Sequence, residues 1–110
     1  MAQYLLQLSY STAAWAVMIK RPENRVEAVK KVVKKLGGKI EGFWFAFGDH
    51  DFVGVLEMPD NVAVAAFAMA IAAGGACRNV KTTPLLEVEE GLQAMKKAGN
   101  CGYQPVTAKK

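Results

Sequence analysis

Only one histidine, His50, and two cysteines, Cys77 and Cys101, occur in the 110 residues, and that scarcity narrows the chemistry. The cysteines stand 24 positions apart with no CxxC spacing, so neither a zinc site nor a dithiol redox pair is implied and free thiols are expected. His50 sits between Asp49 and Asp51, and a single imidazole with two sequence-adjacent carboxylates does not easily converge on one ion. No metal and no cofactor is therefore expected. The longest apolar run, Val62 to Ala73, has twelve residues, whereas a bilayer-spanning helix needs roughly 20. It reads as a buried helix, and no membrane partner is expected. Met1 to Gln3 lead directly into a strand-like pattern without the basic start and apolar stretch of a signal peptide, which makes the cytoplasm the expected location.

What the chain does contain suits one folded domain. An apolar fraction of 52% over this length supports a single hydrophobic core and not two. The net charge of +4 is uneven: residues 20–39 hold eight Lys and Arg against Glu23 and Glu27, and the rest sums to −2. An anionic partner would meet that basic segment first.

Gln3 to Tyr10 alternates, with Tyr4, Leu6, Leu8 and Tyr10 on one side, the period of a half-buried strand. Ser11 or Thr12 can cap a helix through Ile19. Pro22 is placed to begin a second helical piece ending before Gly37-Gly38. Its stripe of Val26, Val29, Val33 and Leu36 turns Lys30, Lys31, Lys34 and Lys35 toward solvent, with Glu27 spaced to pair with Lys31. Lys39 to Phe47 and Asp51 to Met58 flank Gly48-Asp49-His50 as a hairpin. Asp60 caps the apolar helix, which stops at Gly74-Gly75. A fourth strand follows around Cys77 to Thr83, with Pro84 either limiting its length or placing it near an edge and Leu85 to Val88 left open as an extension. Glu89 to Lys97 reads as a terminal helix with acids first and lysines last. These elements form a domain over residues 1–98, and 99–110 read as a flexible tail. The order βαββαβ predicts an α+β, ferredoxin-like fold, with a four-stranded antiparallel sheet, two helices on one face and an extra C-terminal helix.

The hairpin strands are apolar on both sides, unlike strands of a sheet with one solvated face. By alternation, Phe43, Phe45 and Phe47 point one way and Ile40 and Trp44 the other, while Phe52, Leu56 and Met58 oppose Val53 and Val55. Three Phe rings represent roughly 450 to 750 Å², at or above the largest patch most monomers expose. Burying about 500 Å² of such surface contributes on the order of 10 kcal/mol before association costs, which favours self-pairing through the sheet. A homodimer is expected, with higher oligomers left open.

The run Gly37-Gly38-Lys39-Ile40-Glu41-Gly42-Phe43-Trp44, then Phe47-Gly48-Asp49-His50-Asp51-Phe52-Val53 and Glu57-Met58-Pro59-Asp60-Asn61, resembles the GYD domain family over about residues 3–88. His50 stands where the family's namesake tyrosine would be, while Gly48 and Asp51 match. The family is similar in fold to the dimeric α/β barrels. Those include cofactor-free monooxygenases, lactone isomerases, haem-dependent enzymes and proteins of no known activity, so the resemblance implies a fold and a dimer but no particular chemistry.

The residues offer one catalytic pair, His50 as a base near neutral pH and Asp51 as its orienting carboxylate, weighed against a solvated or structurally bonded turn. Flanking carboxylates on a strand point away from the imidazole, which favours the second reading. Tyr4, Trp15, Phe43, Trp44 and Phe45 are the candidate ligand-binding residues, although aromatics at core spacing are more often core. The leading functional expectation is binding, with conversion left open, of a small hydrophobic or aromatic metabolite. The alternative is a non-catalytic interaction or assembly module. RNA binding is the weakest of the three, because Asp51-Phe52-Val53-Gly54-Val55 lacks the basic, doubly aromatic pattern of an RNA-recognition strand.

Overall fold

Strand β1 (Ala2–Tyr10) buries Tyr4, Leu6 and Leu8 on one face and presents Gln3, Leu5 and Gln7 on the other, as period-two alternation requires. Ser11 then caps α1 (Thr12–Lys20), its hydroxyl accepting from the Ala14 N–H at 3.0 Å. The second helix, α2 (Val26–Lys35), starts four residues later than Pro22 predicts. The Asn24 side chain accepts from the Val26 N–H at 2.9 Å, so an Asx turn and not the proline initiates it. Val33 is the one fully buried member of its stripe, and Glu27 meets Lys30 at 3.6 Å instead of Lys31.

Strands β2 (Lys39–Phe45) and β3 (Phe52–Met58) form the hairpin, joined by a connection longer than three residues. Asp60 caps α3 (Asn61–Gly74), accepting from the Ala63 N–H at 2.9 Å, and Gly75 ends it at φ 80°, a conformation glycine adopts without Cβ strain. Strand β4 (Cys77–Leu85) runs through Pro84, tolerated because β4 is an edge strand.

The sheet order is β2-β3-β1-β4 with every neighbouring pair antiparallel, the ferredoxin-like arrangement. Helix α2 lies over β2, and α3 lies over β4 and β3. Between helices and sheet sit Tyr4, Leu6, Leu8, Leu56 and Met58 from the strands, Val33 from α2, and Val64 and Phe67 from α3. No helix among the described residues is long and apolar enough to cross a membrane.

The face opposite the helices differs in one respect from simple alternation. Register between β2 and β3 shifts between Ile40 and Gly42, so Ile40 pairs with Leu56, Phe43 with Gly54 and Phe45 with Phe52, all on the helix side. A bulge of this kind adds one residue and reverses parity beyond it. Ile40 therefore sides with the phenylalanines and not with Trp44. Phe43 lies on Gly54, which has no side chain to displace it, and Phe47 falls beyond the strand, fully exposed. The uncovered apolar row is instead Leu5, Trp44, Val53 and Val55, with Leu85 at its margin. Trp44 is 56% exposed and folds back over Gly42, where an added Cβ would lie 2.6 Å from the indole.

The last helix, α4 (Val88–Gly99), is capped by a box in which Glu87 and Glu90 each bond the other's backbone N–H, and none of its residues is buried. The radius of gyration is 18.0 Å, with a longest dimension of 62 Å. A compact chain of this length would have roughly 13 Å. The computed structural model describes residues 1–107; Asn100 to Thr107 hold no helix or strand, and residues 108–110 of the expected tail lie outside the described residues.

Candidate functional site

The hairpin end divides two side chains that are neighbours in sequence. Asp51 turns to the helix side, where its Oδ2 accepts from the Tyr10 backbone N–H at 2.9 Å and from the Trp15 indole Nε1–H at 3.2 Å. Its own N–H donates to the Leu8 carbonyl at 2.8 Å, and its carbonyl accepts from Ala46 at 2.9 Å. This one residue thereby joins β1, α1 and the connection between β2 and β3. Those bonds occupy one oxygen of the carboxylate fully, which suits a bracket better than a base.

Around that bracket the aromatic residues form a chain. Trp15 meets Tyr10 edge-on at 5.4 Å, and Phe52 contacts Tyr10 at 6.4 Å, Phe43 at 4.9 Å and Phe45 at 5.4 Å. Such tilted pairs add about 0.5 to 1.5 kcal/mol each beyond their buried area. Cys77 pairs with Tyr10 across β1 and β4. Partial burial pushes the Cys77 thiol above its ordinary pKa, with the Asp51 charge adding to it. Tyr10 is raised likewise, first by burial and then by Cys77 and Asp51, against a lowering contribution from Arg25.

His50 lies on the other side. It lines a shallow depression of about 380 Å³ on the uncovered sheet face with Gln7, Phe47, Asp49, Val53 and Lys81. Gln7, Val53 and Lys81 stand in one row across β3, β1 and β4. The His50 Nδ1 is buried and has no hydrogen-bond partner among the described residues, an uncompensated cost that native proteins seldom carry without a reason. An amide, an imidazole, an ammonium and the Asp49 carboxylate thus line the same hollow beside Val53 and Phe47. No group of three or more His, Cys, Asp or Glu among the described residues is placed to hold a metal ion.

The candidate residues from sequence are therefore distributed and not gathered. His50 and Asp51 do not form a dyad. Tyr4 is in the core, its hydroxyl donating to Asn61 Oδ1 at 2.7 Å. Trp15, Phe43 and Phe45 belong to the helix-side aromatic chain, and Trp44 stands on the uncovered face with the His50 depression. Gln7 and Lys81 are the residues that sequence reasoning passed over. Their polarity within strands is a signal, but their union with His50 depends on strand order and register.

Comparison with known proteins agrees with this architecture. A family model for the GYD domain matches residues 4–95. Among solved structures, the crystal structure of the Mycobacterium protein AldR aligns with a TM-score of 0.55 at 13% identity, covering 78% of this chain and 52% of that one. The chain thus spans about half the length of that protein, and the likeness is one of fold. No curated protein matches. The matched span runs from β1 into α4 and carries the whole four-stranded sheet apart from its first two residues, together with the His50 turn; the chain belongs to the GYD domain family.

Proposed function

We propose that the protein is a small homodimeric ligand-binding domain whose two sheets pack through their uncovered faces and enclose a site for a small hydrophobic or aromatic molecule. The observation that carries this reading is the His50 depression. It lies on the one sheet face without helices, beside the apolar row of Leu5, Trp44, Val53 and Val55. By itself the hollow is open, and a second sheet laid over it would supply the missing wall. Pockets that bind small molecules combine an apolar lining with a few convergent polar groups, and Val53 and Phe47 with Gln7, His50 and Lys81 meet that description.

Gln7 and Lys81 suit a ligand carrying a carbonyl or carboxylate oxygen on an apolar or aromatic body, with the Asp49 carboxylate in the same lining opposing a second negative charge. Binding is the activity the geometry supports best; conversion would need proton transfer at the His50 imidazole, whose Nδ1 is buried. Titration of the protein with aromatic carboxylates, benzoate first, followed by Trp44 emission in a Trp15→Phe background, tests the reading. Saturable binding that His50→Ala and Lys81→Ala each weaken would support it. Binding untouched by either change, in folded and dimeric variants, removes the depression from the account.

A non-catalytic assembly module is the second reading, and the projecting α4 is the observation on its side. For RNA the uncovered face is poorly furnished. The positions on β1 and β3 that would stack bases are Gln3, Leu5, Gln7, Val53, Val55 and Glu57, none of them aromatic.

A further inference from the structure

Helix α4 carries an apolar stripe that no other described residue of the chain covers. Val88 is 80% exposed, Leu92 44% and Met95 69%. Their spacing of four and three places them on one side of the helix, as in a seam between two helices. Gly91 adjoins the stripe, and a Cβ added there would meet no atom within 4 Å. Small residues beside a seam let two helices approach closely.

We propose that α4 pairs antiparallel with the α4 of a second copy of this chain, through an isologous two-fold contact separate from the sheet face. The charge order selects this occupant and this direction. Glu89 and Lys96 lie on the same flank of the stripe, Glu89 in the first turn and Lys96 in the last. In an antiparallel pair centred between Gly91 and Leu92, Val88 of each copy faces Met95 of the other. Glu89 of each copy then comes beside Lys96 of the other. The two-fold axis repeats the pair, so one helix complements itself in shape and charge. A parallel pair would carry these residues to opposite sides of the seam, where the flanking positions of the partner are Gly91 and Ala98, and would leave both charges without a counterpart. Within one helix Glu89 and Lys96 are seven residues apart, too far to pair with each other.

Disulfide trapping of the full chain under mild oxidation tests direction and contact together. A cysteine in place of Leu92 lies near the two-fold axis. The native Cys101 thiols, nine residues further on, lie roughly 27 Å apart in an antiparallel pair. Leu92→Cys in a Cys101→Ser background is expected to cross-link, and the unaltered chain is expected not to. Adding Glu89→Lys or Lys96→Glu should each lower the cross-linked yield by roughly three- to tenfold, the scale of two exposed ion pairs. The E89K/K96E double variant should recover it. A helix weakened only by charges opposed to its dipole would be worse in the double variant, so recovery identifies pairing. Cross-linking that persists with Val55→Asp separates this contact from the sheet face, and its loss there ties α4 to that face and overturns the separate interface. Absence of cross-linking at position 92, equal cross-linking through Cys101, or no recovery in the double variant also overturns the proposal.

Discussion

The Trp15 indole nitrogen donates to the Asp51 carboxylate at 3.2 Å across 36 residues of sequence, fastening the first helix to the end of the hairpin. The same oxygen accepts from the Tyr10 N–H, so two donors on different elements depend on one side chain.

Removing that acceptor should be costly. Asp51→Ala leaves the Trp15 and Tyr10 donors without their partner, and a loss of about 1 to 3 kcal/mol in unfolding free energy is expected. Asp51→Asn keeps an acceptor oxygen and should lose less. Urea denaturation followed by Trp15 emission in a Trp44→Phe background measures both; equal stability in all three proteins would show that the bracket bears no load.

The Asp51 charge also reaches Cys77 and Tyr10, and its influence has a definite sign. Both groups have folded pKa values above their ordinary ones, so their contribution to stability is complete below about pH 9 and is lost as pH rises through the folded values. Stability should decline on the alkaline side, and Asp51→Asn should shift the Cys77 thiol back down. Thiol labelling of Cys77 against pH in a Cys101→Ser background reads this directly, and an upward shift or none would contradict the assignment.

Packing on the helix side offers an independent check. A methyl group added at Gly54 collides with the Phe43 ring, and overpacking of this kind costs about 1 to 3 kcal/mol. Gly54→Ala should therefore destabilise, and Phe43→Leu, which vacates the space, should offset part of the loss. A double-mutant cycle with no coupling would show that the ring does not rest on the glycine.

Most of the topology is readable from the chain because its breakers and periods agree. The alternation of β1, the Asp60 cap and Gly74-Gly75 each mark a boundary without tertiary help. The directions of His50 and Asp51 do not follow from strand parity: both lie in the connection before β3, and parity continued back from the helix-side Phe52 would exchange their faces. Nor does the partition of the hairpin aromatics, since the bulge near Glu41 reverses the face of everything beyond it and has no compositional mark beyond Gly42. The start of α2 escaped for a local reason, the Asn24 turn being a stronger initiator than Pro22. The site was less legible than the fold. Gln7, His50 and Lys81 meet only once β1 is known to lie between β3 and β4, and Asp51 is revealed as a bracket only by the position of α1.

The central claim is that a second copy covers the row formed by Leu5, Trp44, Val53 and Val55. Sedimentation at micromolar concentration of a Leu92→Glu variant, in which pairing through α4 is blocked, tests it most directly. Twice the 11.9 kDa mass of one chain is expected, falling to a single subunit when Val55→Asp is added. A Leu92→Glu protein that sediments as a stable single subunit would contradict the claim and the enclosed site built on it.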